Sequence, residues 1–264
     1  MKTEILSLLP PDFPWRQQIQ YYDSVPSTND LAKQLAARGA PHGTVLIADH
    51  QTGGRGRMGR SFFSPAGMGI YMSVILRPKC AAQELMHLTC AVAVAMCDAI
   101  EDATQLRPGI KWTNDLMAGK KKLGGILTEL AFDSSGMAYA IAGIGINCGQ
   151  EASDFEPSLR NIATSLSMAS GSSIDRGKLA AAMCRRLQQM DRHLLSGKQA
   201  MLEQYRKDCI TLGQEISIVT GESIRHATAL DIDTDGALLV RSDDGSIFAV
   251  NSGEVSVRGM YGYV

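Results

Sequence analysis

The sequence predicts an α+β fold, a mixed β-sheet packed with α-helices and followed by a small β-barrel. Three observations predict it. Apolar residues make up 45% and charged residues 20% of the 264, a composition that builds a sizeable core and excludes wholesale disorder. Up to about residue 210, helical and strand patterns alternate irregularly, which gives a mixed sheet and not a strict βαβ repeat. Beyond Leu212-Gly213 only short β runs remain. The length suits one large and one small domain, expected at 1–210 and 211–264.

Residues 1–22, with Pro10, Pro11 and Pro14, read as an irregular lead-in. Ser27-Thr28-Asn29-Asp30 has the spacing of a capping box and starts a helix that runs to Arg38 and stops at Gly39. Strands are expected at 44–48, 69–76, 109–113, 125–132 and 138–146, the last two paired across Asp133-Ser-Ser-Gly136. Leu85, Leu88, Val92 and Met96 share one face of a helix over 83–102. Further helices are expected at 158–169 and 176–207, the second broken near Ser196-Gly197. The barrel strands are 215–220, 224–232, 237–241, 247–250 and 255–258, separated by glycine-containing turns.

Lys and Arg number 26 against 27 Asp and Glu, so no global field gathers nucleic acid or an anionic membrane. The longest charge-free stretch, Ser134 to Gln150, is broken by four glycines and is too short for a membrane span. Lys2, a short apolar run and Pro10-Pro11 do not make a secretory signal. Six cysteines lack any C-x-x-C pair and five histidines form no cluster, which excludes zinc and disulfide frameworks and points to reduced thiols in a cytoplasmic protein.

Gly54-Arg-Gly-Arg-Met-Gly59 satisfies G-x-G-x-x-G, and residues 54–61 nearly match a phosphate loop with Arg60 in place of lysine. Either reading needs a helix to open after the loop, and Ser61-Phe-Phe-Ser-Pro65 is no helix, so both are excluded. Arg55, Arg57 and Arg60 among glycines still make an anion-gripping loop, because guanidinium forks match carboxylate and phosphate oxygens. In the turn Lys120-Lys-Lys122, Lys122 lies against Leu123 and two glycines and is the lysine expected to point inward. Trp112, inside Lys111-Trp-Thr-Asn-Asp115, reads as a core aromatic. Gly143 and Gly145 signal close approach of a ligand or of a neighbouring strand, and the sequence leaves that choice open.

Taken together, Ser27-Thr28-Asn29, Gly54 to Arg60, Lys111 to Asp115, Lys122-Leu-Gly-Gly-Ile-Leu-Thr-Glu129 and Gly143-Ile-Gly-Ile-Asn147 resemble biotin protein ligases, in that family's order, over about residues 20–260. Thr113, where the family commonly has Pro, and Gly124, where Ala is frequent, are departures. The resemblance implies a class II synthetase-like catalytic domain with an SH3-like C-terminal barrel. It implies activation of biotin by ATP to biotinyl-5′-AMP, then transfer to a lysine of a biotin carboxyl carrier protein domain. By the resemblance Ser27, Thr28, Asn29, Gln51, Gly54, Arg55, Gly56, Arg57, Lys122 and Gly143 bind biotin, and Arg57, Arg60, Lys111, Asn114 and Asn147 bind the nucleotide. Arg57, Lys122 and Asp115 are the catalytic candidates, with Asp115 also the candidate contact to Mg²⁺. The residues before Ser27 are too few for the DNA-binding domain some members carry, so no direct DNA binding is expected; a homodimer is admitted. Competing readings are a lipoate-protein ligase and a non-catalytic biotin-binding protein.

Overall fold

The computed structural model describes residues 1–133, 136–251 and 256–259. Its seven-stranded sheet contains β1 (Ile19–Val25), β2 (Thr44–Gln51), β3 (Gly69–Leu76), β4 (Gly109–Lys111), β5 (Asp115–Ala118), β6 (Lys121–Asp133) and β7 (Gly136–Asn147). The strand order is β1-β2-β3-β7-β6-β5-β4. Only β1 and β2 run parallel, joined through helix α2 (Thr28–Ala37); every other neighbouring pair is antiparallel. This is the mixed sheet the irregular alternation predicts.

The sheet's two faces follow from the period of two along its strands. Leu46, Ile75 and Ile141 point to one face and pack under Ala32 and Ala36 of α2. Their neighbours Val45, Ile47, Val74, Leu76, Ala140 and Ala142 point the other way, into the main core. That core is covered by α1 (Lys2–Ser7), α3 (Leu88–Thr104), α5 (Arg176–Arg192) and α6 (Lys198–Asp208). The segment Ala82–Thr104 is long and apolar enough to cross a membrane, but its apolar window is 72% buried, as in a core helix. The short α4 (Leu166–Ser170) is capped by Ser165.

Strands β8 (Glu215–Thr220), β9 (Ser223–Ile232), β10 (Leu238–Ser242), β11 (Ile247–Val250) and β12 (Ser256–Gly259) form an antiparallel sheet in the order β11-β10-β9-β8-β12. This meander with a returning last strand is the expected small β unit. Val255 and the Ser252-Gly253 part of its last turn lie outside the described residues, as do Ser134 and Ser135 of the β6–β7 turn. The apolar core runs continuously from the large sheet into the small one, through Ile216, Ile218, Ala229, Leu238 and Val240.

Several expectations need correction. The lead-in is not irregular: α1 occupies 2–7 and β1 starts at Ile19. Its order is non-local, since Arg16 Nη1 donates to the carbonyls of Leu6 and Leu9 at 2.6 and 3.0 Å and closes the end of α1. The helix expected at 158–169 is reduced to α4, because residues 162–164 pair with the backbone of Lys122 instead. The strand expected at 109–113 ends at Lys111, and the chain turns through a cis Trp112–Thr113 peptide into β5. β6 starts at Lys121, so Lys122 belongs to a strand and not to the turn. The six thiols are free, and burial pushes those of Cys90, Cys148 and Cys184 up to about 12.

Arg107 ties the helical layer together. It donates to both carboxylate oxygens of Asp208 at 2.8 and 2.6 Å, and to Asp98 and Glu101 at 2.9 and 2.7 Å. The Asp208 side chain is only 8% exposed. Arg107→Met is expected to cost about 3 kcal/mol, because it strands that buried charge. Pairing it with Asp208→Asn should recover much of the loss, as read from urea unfolding at pH 7.

Candidate active site

The site is a slot on the α2 face of the sheet, where neighbouring strands lack side chains at the same place. Gly143 and Gly145 of β7 pair with Ser73 and Tyr71 of β3 on one side, and with Leu127 and Gly125 of β6 on the other. Side chains from above the sheet come close to both glycines. A Cβ at Gly143 would lie 2.0 Å from Asn29 Oδ1, and one at Gly145 would lie 2.5 Å from the Phe62 ring.

At the Gly143 level the lining is neutral and hydrogen-bonded. Ser27 caps α2, and the next two residues face the slot. Thr28 donates from its N–H and its hydroxyl to Gln51 Oε1 at 2.8 and 3.0 Å, while Gln51 Nε2 donates to Ser64 Oγ at 3.0 Å. The Ser73 hydroxyl lies 2.8 Å from Thr28 Oγ1 and 2.6 Å from Asn29 Oδ1. Asn29 Nδ2 donates to the Leu127 carbonyl and to Glu129 Oε2, whose other oxygen takes Lys33 Nζ at 3.1 Å. These bonds fix the amide orientations of Gln51 and Asn29, so the groups facing the slot are set before a ligand arrives.

At the Gly145 level the lining is charged. Lys122 Nζ donates to Asp115 Oδ1 at 2.6 Å and lies 3.4 Å from the place a Gly125 side chain would take. Arg57 Nη1 donates to Asn114 Oδ1 at 3.0 Å, and Asn114 Nδ2 donates to the Ile126 carbonyl at 3.1 Å. Burial pulls the Arg57 pKa down, partly offset by the Asp115 carboxylate, and the guanidinium stays charged. The basic loop folds over this end as a hairpin, with Gly56 N–H to the Arg60 carbonyl at 2.7 Å and Phe62 N–H to the Gly54 carbonyl at 2.9 Å. Arg57–Gly59 is a single 3₁₀ turn, so the loop opens no α-helix.

At the far end of β7, Asn147 is buried and donates to the Thr164 carbonyl at 3.0 Å. Residues 162–164 reach it by running beside Lys122, whose N–H donates to the Ile162 carbonyl at 2.8 Å and whose carbonyl accepts from Thr164 N–H at 2.9 Å.

Of the residues singled out from the sequence, Ser27, Thr28, Asn29, Gln51, Arg55, Gly56, Arg57, Asn114, Lys122 and Gly143 line the slot together. Asp115 touches it through Lys122, and Lys111 faces Asp115 across the β4–β5 pair. Gly54 is buried behind it, packed so that a Cβ would strike the Phe62 carbonyl at 2.4 Å. Arg60 is exposed and Asn147 lies past the lining. Sequence reasoning missed Ser73, Ser64, Phe62 and Glu129. Ser73 had a signal, as the lone polar residue of the fully buried run Gly69–Leu76.

A slot with neutral hydrogen-bonding groups at one end and the cations Arg57 and Lys122 at the other suits a small organic acid. The Biotin/lipoate A/B protein ligase family matches residues 21–147, and the Biotin protein ligase C terminal domain matches residues 211–258. The bifunctional ligase/repressor BirA of Bacillus subtilis is 36% identical over 93% of this chain and 73% of its own length. The biotin–acetyl-CoA-carboxylase ligase of Mycobacterium tuberculosis is 31% identical over 91% of this chain and 89% of its own. The biotin protein ligase from Aquifex aeolicus in complex with biotin and ATP superposes with a TM-score of 0.78 at 29% identity, covering 91% of this chain and 98% of that one. The chain belongs to the biotin protein ligase family, and its activity is the ATP-dependent ligation of biotin.

Gly143→Ala is expected to cost about 1–3 kcal/mol in stability through overpacking against Asn29. It should also abolish biotin binding measurable by calorimetry while leaving the circular dichroism spectrum unchanged. Wild-type affinity in this variant would show that the Gly143 level does not hold the ligand.

Proposed function

We propose that the order of chemistry along β7 is the order of the bound substrates. Successive odd residues of a strand stand about 7 Å apart on one face. Gly143 therefore marks the hydrogen-bonding end, Gly145 the cationic middle and Asn147 the far end. Biotin fits the first with its ureido ring, whose N–H and C=O groups meet Ser27, Thr28, Asn29 and Gln51. Its carboxylate then reaches the second level beside the α-phosphate of ATP, and the nucleoside extends toward Asn147. This ordering is the observation that carries the assignment.

In the first step a carboxylate oxygen attacks the α-phosphorus and pyrophosphate leaves. Two anions must meet, and negative charge builds on the phosphoryl oxygens. Arg57 and Lys122 stabilise that charge, and they do so without reorganising because Asn114 and Asp115 already hold them in place. Arg55 and Gly56 close over the activated carboxylate, while Arg60 and Lys111 add positive charge for the triphosphate. In the second step an acceptor lysine attacks the acyl carbon and AMP leaves. The Asp115 carboxylate orients the incoming ammonium and provides a place for its proton. The acceptor is a carboxyl carrier domain of a biotin-dependent carboxylase, as the name of the mycobacterial relative supports.

Mg²⁺ fits the donor set in a limited way. Among the described residues no group of three or more His, Cys, Asp or Glu could hold a metal. Asp115 offers one carboxylate beside the phosphate position, and Mg²⁺ is commonly held by one or two carboxylates plus phosphate oxygens. The ion supplies screening of the triphosphate; the residues that aim the reacting groups are Arg57, Lys122 and Asp115.

Lys122→Ala is expected to fold normally and to lower biotin-dependent ATP–pyrophosphate exchange by about two to three powers of ten, as for loss of one preorganised electrostatic contact. Near-normal exchange would remove Lys122 from the chemistry. The same assay with lipoate tests the substrate: exchange with lipoate and none with biotin would overturn the biotin assignment.

A further inference from the structure

The hydrogen-bond directions at the neutral end of the slot are set from outside it. Glu129 is not part of the lining, yet its Oε2 accepts from Asn29 Nδ2 at 2.9 Å while its Oε1 accepts from Lys33 Nζ at 3.1 Å. A carboxylate accepts and does not donate, so it holds the Asn29 amide nitrogen toward β6. The Leu127 carbonyl, 3.2 Å from the same nitrogen, makes the same demand over a longer bond. Asn29 Oδ1 is thereby turned to the wholly buried Ser73 hydroxyl at 2.6 Å and takes its only proton. That proton is then withheld from Thr28 Oγ1, which lies 2.8 Å from Ser73 Oγ. Thr28 gives its own proton to Gln51 Oε1 at 3.0 Å, so in the lining its oxygen is an acceptor. A reversed Asn29 amide would donate to Ser73 and send the Ser73 proton to Thr28, filling a lone pair that a ligand N–H needs.

We propose that Glu129 is a positioning residue for the first substrate: by fixing the polarity of the chain Asn29–Ser73–Thr28 it reserves Thr28 Oγ1 for an N–H of the ureido ring. This rests on the placement of that ring at the Gly143 level. Lys33 decides what a neutral replacement would do. The two oxygens of Glu129 serve Lys33 and Asn29 at once, whereas the side chain in Glu129→Gln has one oxygen for two donors. The ammonium claims it, since bonds to charged groups are the stronger ones, and the new amide nitrogen then faces Asn29 and favours the reversed amide.

The test uses the full chain in biotin-dependent ATP–pyrophosphate exchange. Glu129→Gln is expected to raise the KM for biotin about tenfold and to leave kcat and the KM for ATP unchanged. Lys33→Met alone should leave the KM for biotin unchanged, because the carboxylate still accepts from Asn29. The double variant Lys33→Met/Glu129→Gln should return the KM for biotin to within about twofold of the parent, since the one oxygen is then free to turn to Asn29. A parental KM for biotin in Glu129→Gln, or a double variant no better than Glu129→Gln, would overturn the proposal. So would a loss in Lys33→Met as large as that in Glu129→Gln, which is the pattern of an ion pair that merely anchors α2. Thr28→Val separates the two readings: if it leaves the KM for biotin unchanged, the placement of the ureido ring fails, whereas an effect of Thr28→Val with none of Glu129→Gln overturns the role of Glu129 alone.

Discussion

The structure depends on one constraint: a sheet that must stay continuous has to make room for a slot. Strands normally fill both faces, and a glycine in a strand interior weakens it. Here the cost is met by grouping. Gly125, Gly143 and Gly145 are neighbours across β6 and β7, so the lost side chains merge into one slot while every ladder hydrogen bond remains available. The helix that would otherwise cover this face, α2, contributes its first turn instead of its apolar stripe. Ser27, Thr28 and Asn29 are buried at the end where Ala32 and Ala36 give way to the slot. Helix capping and the lining of the slot thus draw on the same residues, since the cap is where polar side chains already belong.

The charged middle of the slot follows from the need to hold cations close together before an anion arrives. Arg57 comes from a glycine-rich hairpin and Lys122 from β6, and Asp115 stands on β5, which pairs with β6. The Asp115 carboxylate neutralises Lys122 directly and acts on Arg57 electrostatically. Without it the two cations would repel each other in a half-buried site, where such interactions are stronger than in water. The outer loop is pinned in a second way, by Arg55 Nη1 on Asp30 at 2.5 Å, but both side chains are well exposed and the bond is worth little.

The sequence was legible where a local rule decides. The N-cap Ser27 set the start of α2, though Asp30 turns to Arg55 and Lys33 and does not complete a capping box; the glycine-separated β runs gave the small sheet nearly strand by strand, and the apolar context of Lys122 marked it among three lysines. It was not legible where distant backbone decides. Residues 158–169 carry a helical texture, but the backbone of Lys122 claims residues 162–164 through two hydrogen bonds that no local pattern records. β1 shows no clean alternation because it is an edge strand, buried only at its ends. Glu129 stood inside a recognised motif, and only the fold shows that it carries Asn29 on one oxygen and Lys33 on the other. Motifs located most of the residues that line the slot, whereas the residues that hold them had to be seen in three dimensions.

The small C-terminal sheet belongs to this aiming. The turn between β4 and β5, which presents Asn114 and Asp115, is held from behind at consecutive residues. Trp112 N–H donates to Thr211 Oγ1 at 2.9 Å, Trp112 Nε1 to the Gly236 carbonyl at 3.0 Å, and Tyr205 Oη to the Thr113 carbonyl at 3.1 Å. Thr211 begins the segment leading into β8 and Gly236 lies in the turn before β10, so two of these three contacts come from the small unit. Each is buried, where a lost partner costs about 1–3 kcal/mol and a loosened turn moves the groups it carries. Asn114 holds Arg57 and Asp115 holds Lys122, so these two cations are supported, one residue removed, by the C-terminal sheet. A unit that contributes none of its described residues to the slot's lining is therefore part of what keeps its charges in register.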